Sequence, residues 1–202
     1  MRATSSSLLW ISPIILLSLI VLFHNPRIVI ASVKSSKSCP RSPAQTHAQC
    51  DMVVTFPSEL TNCAVVRTEI VARLKGDNGL QDPHNQGTYT LLKSTSPSSA
   101  DGASMVRGSR VTGDGKYTDQ FGFHLVPNKD GKGCEMSGCS ESQVFSILDM
   151  LTKYCNLRSL YCNTSDGRAV VGTELVYTEK YMNCWQRIAD NCITGSSASD
   201  NT

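Results

Sequence analysis

The chain has 202 residues, with 19 basic and 17 acidic side chains, a formal net charge of +2 and nine cysteines. That length leaves room for one domain behind a targeting segment. A balance so close to neutral lacks the basic excess with which nucleic-acid binders and polybasic membrane anchors meet phosphate, so neither nucleic acid nor a membrane surface is indicated as a partner.

Residues 1–31 read as a signal peptide. Arg2 supplies the positive start, Leu8 to Phe23 is an apolar run interrupted by Ser12, Pro13 and Ser18, and Val29-Ile30-Ala31 offers small residues for cleavage after Ala31. A signal anchor is the alternative, although a spanning helix wants about 20 apolar residues. Cleavage removes Arg2 and Arg27 and no acid, which leaves the two signs equal. All nine cysteines, Cys39, Cys50, Cys63, Cys134, Cys139, Cys155, Cys162, Cys184 and Cys192, follow that point and are disulfide candidates in a chain that folds in an oxidising compartment. Zinc would call for paired C-x2-C or His spacings. The gaps are irregular and His47, His84 and His124 are scattered, so neither metal nor cofactor is expected. The odd ninth cysteine is free, joins two chains into an oligomer, or is capped by something small, and each choice leaves about 105 connectivities.

Residues 32–49 are rich in Ser, Lys, Pro and Gln and read as a flexible leader, with Cys39 a candidate tether, to a single cysteine-rich domain over 50–194. Asp51–Phe56 reads as a short strand. Ser58–Lys75 fits a helix through Leu60, Cys63, Val66, Ile70 and Leu74, with Ser58 as cap and Gly76 as left-handed terminator; Val66, Thr68, Ile70, Ala72 and Leu74 also alternate as a strand would, but the run is long for a strand, so helix is favoured. Strands follow at Gly87–Ser94, Ser104–Thr112 and Tyr117–Val126, the last two joined by a hairpin at Gly113-Asp114-Gly115-Lys116. The densest signal is Cys134–Cys162. Ser140 and Gln143 form a capping box, and Val144, Phe145, Ile147, Leu148, Leu151, Tyr154 and Cys155 recur at helical spacing, which predicts a core-facing helix over 140–155 with Glu141 complementing its dipole. Such a helix would hold Cys139 and Cys155 roughly 24 Å apart, too far to bridge each other. Their expected partners are Cys63, Cys184 and Cys192. Ala169–Tyr177 reads as a further strand, Tyr181 to Cys192 as a short helix, and 195–202 as a disordered tail.

Chemistry-bearing candidates are sparse. No G-x-S-x-G, H-E-x-x-H or glycine-rich phosphate loop is present. His84 and His124 read better as a turn residue and a polar-face strand residue than as partners of a nucleophilic cysteine. Asp114 and Asp119 flank the hairpin without the ligand order of a calcium loop. Asn163-Thr164-Ser165 is a glycosylation acceptor sequence, which makes Asn163 a glycan candidate.

Taken together, Asp82-Pro83-His84-Asn85 with Gly87-Thr88-Tyr89, Thr112 to Asp119, Cys139-Ser140-Glu141-Ser142-Gln143, and Tyr154-Cys155-Asn156-Leu157 through Leu160-Tyr161-Cys162 resemble small secreted cysteine-rich proteins of plants and algae over about residues 60–165. The resemblance implies secretion and disulfides and carries no activity. The expected fold is α+β, a meander of three to four antiparallel strands packed on helices and stapled by disulfides, in a cystatin-like or NTF2-like order by analogy. The expected function is that of a secreted, non-enzymatic binding protein for an extracellular ligand or protein. The alternatives are a secreted enzyme using His84, Asp114, Asp119 or His124, and a protease inhibitor, although Arg110-Val111-Thr112-Gly113 does not match the Q-x-V-x-G hairpin of cystatin-type inhibitors.

Overall fold

Alternating burial writes six strands into the residues described by the computed structural model, which are 39–76, 86–147, 152–166, 172–184 and 192. The strands are β1 (Gln49–Phe56), β2 (Thr88–Ser94), β3 (Ser104–Val111), β4 (Thr118–Pro127), β5 (Cys134–Ser142) and β6 (Thr178–Cys184), with helices α1 (Cys63–Lys75) and α2 (Thr152–Arg158). They form one antiparallel sheet in the order β2-β3-β4-β5-β1-β6. The α+β class and the antiparallel meander are as expected. The sheet is wider than three to four strands because β5 and β6 run into segments read as helix, overlapping them at 140–142 and 181–184.

One face of the sheet is the core. Val106, Phe121, Phe123, Leu125, Met136, Met52, Val54 and Phe56 point into it and are buried, as the period of two requires when a single face is covered. Gly108 is needed there because a Cβ would come within 2.5 Å of the Phe121 ring. Helix α1 packs over β2, β3, β4 and β5, and α2 over β5, β1 and β4.

The helical reading of 58–75 is right in kind. A 3-10 turn at Glu59–Thr61 precedes α1, Ser58 caps that turn, and Asn62 caps α1 by accepting from the amides of Ala64 and Val65. Gly76 ends it at φ 76°. Cys63, Val66, Ile70 and Leu74 face the sheet and are buried, so the three-to-four spacing outweighed the alternation.

The expected helix over 140–155 is not formed at its start. Ser140 lies in β5, whose backbone is paired with β1 on one side and β4 on the other, so it does not cap a helix and Glu141 meets no helix dipole. Within 152–158 the helix is present, while residues 148–151 lie outside the described residues. Val144, Phe145 and Ile147, expected in the core, are exposed. At the C-terminal end, residues 172–177 are not a strand; the strand is Thr178–Cys184, where a helix was expected to begin. Residues 185–191 of that helix, residues 169–171, the tail 195–202 and the segment 1–38 lie outside the described residues.

Four disulfides join eight of the nine cysteines. Cys63–Cys134 ties the start of α1 to β5, Cys50–Cys184 ties β1 to β6, Cys155–Cys192 ties α2 to the C-terminal segment, and Cys39–Cys139 ties the leader to β5. The leader is accordingly not loose from Cys39 onward. Ser42 Oγ donates to Ser142 O at 2.6 Å, Ser142 N donates to Ala48 O at 3.1 Å, and Ala48 N donates to Ser146 Oγ at 3.1 Å.

The β4–β5 turn separates two glycine demands. Gly131 has φ 74° with open space around it, whereas Gly133 has φ 76° and a Cβ there would lie 1.9 Å from the Phe56 carbonyl oxygen. Gly131→Ala should cost about 1–2 kcal/mol, the ordinary price of a left-handed residue with a Cβ. Gly133→Ala must also displace the end of β1 and should cost clearly more. Equal midpoints of the two variants in denaturant unfolding, with disulfides intact, would contradict this account.

Candidate functional site

At one end of the strands the core face turns from apolar to charged. Arg110 of β3 lies opposite Asp119 of β4, which lies opposite Ser142 of β5. Helix α2 lowers Lys153 and Asn156 onto this row. Lys153 Nζ is 2.9 Å from Asp119 Oδ1, and Asn156 Nδ2 donates to Asp119 Oδ2 at 2.8 Å and to Ser140 Oγ at 3.2 Å. All six side chains are buried. A carboxylate held on both oxygens is a fixed countercharge rather than a base open to substrate.

A second polar cluster closes the other end of α2. Glu179 Oε1 accepts from Arg158 Nη1 at 2.6 Å and from Tyr161 Oη at 2.6 Å, and the Tyr154 hydroxyl lies 3.3 Å from Oε2. Asp166 accepts from Tyr177 Oη at 2.7 Å and lies 3.3 Å from Arg158 Nη2. Burial, then the Glu179 charge, pushes Tyr154 up to about 12 and Tyr161 well above the ordinary phenol range. Burial and the Asp166 hydrogen bond raise Tyr177 likewise.

On the opposite face of the sheet the leader covers a third group. Asp51 of β1 is the register partner of Cys139 of β5, and Gln49 is that of Glu141. Gln49 Nε2 donates to Asp51 Oδ2 at 2.7 Å and approaches Cys39 Sγ at 3.3 Å. His47 Nε2 sits 3.1 Å from Glu141 Oε2. Burial raises both carboxyls, Asp51 and Glu141, above the usual range. Cys39, Asp51 and Cys139 place their ligand atoms within 4.8 Å of one another. With the two sulfurs joined, they are not the thiolates a soft metal requires.

The residues named from sequence do not converge. His84 lies outside the described residues. Asp114 sits in the exposed hairpin turn, accepting from Thr112 Oγ1 at 2.6 Å and from Lys116 N at 3.1 Å. Those bonds, the hydroxyl first, lower it to about 2. Asp119 points into the core, while His124, five residues further along the same strand, belongs to the outer face between Met105 and Ser137. The carboxamide of Asn163 is closed on Leu175, donating to its O and accepting from its N at 2.7 Å each, so a glycan there would have to be attached before this lock forms. Cys162 is fully buried; a bridge to another chain through it would require the core to open. The tyrosine cluster and the Lys153–Asp119 pair went unread because their members come from distant segments and carry no local spacing.

Comparison of the chain with protein-family models, with curated proteins and with solved structures finds no match.

Two measurements test these clusters. Lys153→Met leaves Asp119 buried without its ammonium partner and should destabilise by about 3–5 kcal/mol, while Lys116→Met, in an exposed pair, should leave the unfolding midpoint nearly unchanged. In an alkaline titration followed by tyrosinate absorbance, Tyr154 should ionise late. Its folded value lies above its unfolded one, so its stabilising contribution is complete below about pH 10 and is lost as pH rises through about 12. All six tyrosines titrating together near the ordinary phenol value, with the fold intact, would refute the arrangement around Glu179.

Proposed function

We propose that the chain is a secreted, disulfide-stapled binding protein that presents the segment 143–147 to an extracellular protein partner. The observation that carries this reading is that four of the seven exposed large apolar side chains among the described residues lie on two adjoining segments. Tyr117, Val144, Phe145 and Ile147 are all exposed, and Gln143 N donates to Thr118 O at 2.8 Å, which brings their two segments side by side.

The segment is also held in shape. Gln143 ties it to β4, and on its other side Ser146 contacts Thr46 and Ala48 of the leader. An aromatic side chain on a preorganised loop loses little freedom on binding, which is where interface energy concentrates. By contrast, the acids, Lys153 and the tyrosines that would suit chemistry are engaged with one another. Secretion is supported by the four disulfides, a device of oxidising compartments, and by the signal-like reading of residues 1–31. No described helix is long and apolar enough to cross a membrane. The cystatin-like or NTF2-like comparison remains an analogy of element order, from strand to helix to meander, and supplies no inhibitory hairpin.

The test is a photo-crosslinking amino acid at position 145 of the secreted protein, exposed to the extracellular medium of its source. One discrete adduct is expected, competed away by excess unlabelled protein and reduced at least ~10-fold by Ile147→Ser, the loss of one well-placed apolar anchor. The same substitution should leave the unfolding midpoint unchanged. Labelling that neither competes nor responds to Ile147→Ser would remove the proposal.

A further inference from the structure

The four disulfides have different surroundings. Cys63–Cys134 and Cys155–Cys192 join residues that are all buried. In Cys50–Cys184 the partly exposed sulfur, that of Cys184, meets the main-chain oxygen of Asp51 at 3.9 Å. Cys39–Cys139 is the bridge with proton-handling chemistry against it. Cys139 is buried and Cys39 is partly exposed. Asp51 Oδ1 lies 3.3 Å from Cys39 Sγ, and Gln49 Nε2 lies 3.3 Å from Cys39 Sγ and 3.8 Å from Cys139 Sγ.

We propose that Cys39–Cys139 is an exchangeable disulfide that accepts electrons from a small thiol, with Gln49 steadying the departing thiolate and Asp51 handing it a proton. Access fixes the direction of attack. The external thiolate RS⁻ attacks Cys39 Sγ, an R–S–Cys39 bond forms, the Cys39–Cys139 bond breaks, and its electron pair leaves on Cys139 Sγ. The Gln49 amide faces that developing charge, and the Asp51 carboxyl protonates it. A second thiolate attacks the sulfur of R, releasing RSSR and the Cys39 thiolate. Asp51 recovers its proton from solvent thiol, and Cys39 takes up another. The sum is one protein disulfide and two RSH giving two protein thiols and RSSR.

Around Asp51 the described titratable neighbours are Glu141 on β5 and, beyond it, His47 on the leader, while Gln49 and Asn183, its register partner on β6, are neutral. Burial keeps the Asp51 carboxyl protonated to higher pH than usual, which suits a donor. Opening the bridge leaves residues 40–48 joined to the rest of the sheet by hydrogen bonds such as those of Ser42 and His47.

The experiment treats the full secreted chain with graded reduced glutathione, quenches by alkylation and maps the peptides by mass spectrometry. Glutathione should appear on Cys39 and the alkyl label on Cys139, at thiol levels that leave the other three bridges closed. Asp51→Asn, oxidised and folded, should slow the step at least ~10-fold, as loss of a general acid does. It should also abolish the fall in rate per thiolate that the native protein shows as pH rises through the Asp51 value. Opening of all four bridges together, glutathione on Cys139, or an Asn variant with the native pH profile would each overturn the proposal; the regioselectivity needs no variant to fold.

Discussion

The pairing of β1 with β5 is the constraint on which the rest of the structure depends. Eight register pairs, from Gln49↔Glu141 to Phe56↔Cys134, join segments far apart in sequence. Without them the β2–β5 meander would end at β5, and β1 with its partner β6 would be cut off from it. Such long closures are costly in chain entropy, and three of the four disulfides have a cysteine in β1 or β5. In the chain-entropy account, bridges closing loops of this size each stabilise by roughly 4–5 kcal/mol. Cross-links and ladder therefore act on the same step, and the outer-face group of Gln49, Asp51, Cys139 and Glu141 exists because that register aligns it.

The two faces of this ladder serve different ends. Inward, α2 brings Lys153 and Asn156 onto Asp119, and Arg158 onto Glu179. A buried charge that is paired and hydrogen-bonded contributes mainly to uniqueness of packing, since an apolar replacement of the whole pair is often as stable. Outward, the leader makes a second, shallow layer over β5 and supports residues 143–147 from one side. The loop that displays Phe145 is consequently placed by the same leader that Cys39–Cys139 anchors.

The sequence was legible where local signals agree with tertiary demands. Gly76 ended α1 as read, Gly115 at φ 72° shaped the expected hairpin, and Phe121, Phe123 and Leu125 share the core face. It misled at 140–155, where Ser140 and Gln143 mimic a capping box although β1 and β4 both claim the backbone of β5. Apolar spacing made Val144, Phe145 and Ile147 look like core when they are surface. The conclusion that Cys139 and Cys155 do not bridge each other agrees with the structure, but for another reason. Cys155 pairs with Cys192, one of the expected recipients, whereas Cys139 pairs with Cys39 in the leader, which composition alone marked as loose. Nothing local encodes the convergence of Tyr154, Tyr161 and Tyr177 on Glu179 and Asp166, because three separate elements supply it.

The central claim, that a β1–β5 ladder organises the fold and is locked by cross-links on both faces, is tested most directly by disulfide mapping of the unreduced protein. Proteolysis and mass spectrometry should return Cys39–Cys139, Cys50–Cys184, Cys63–Cys134 and Cys155–Cys192. Linkage of Cys134 or Cys139 to any other cysteine would contradict the register of β5 against β1, and with it this account of the fold.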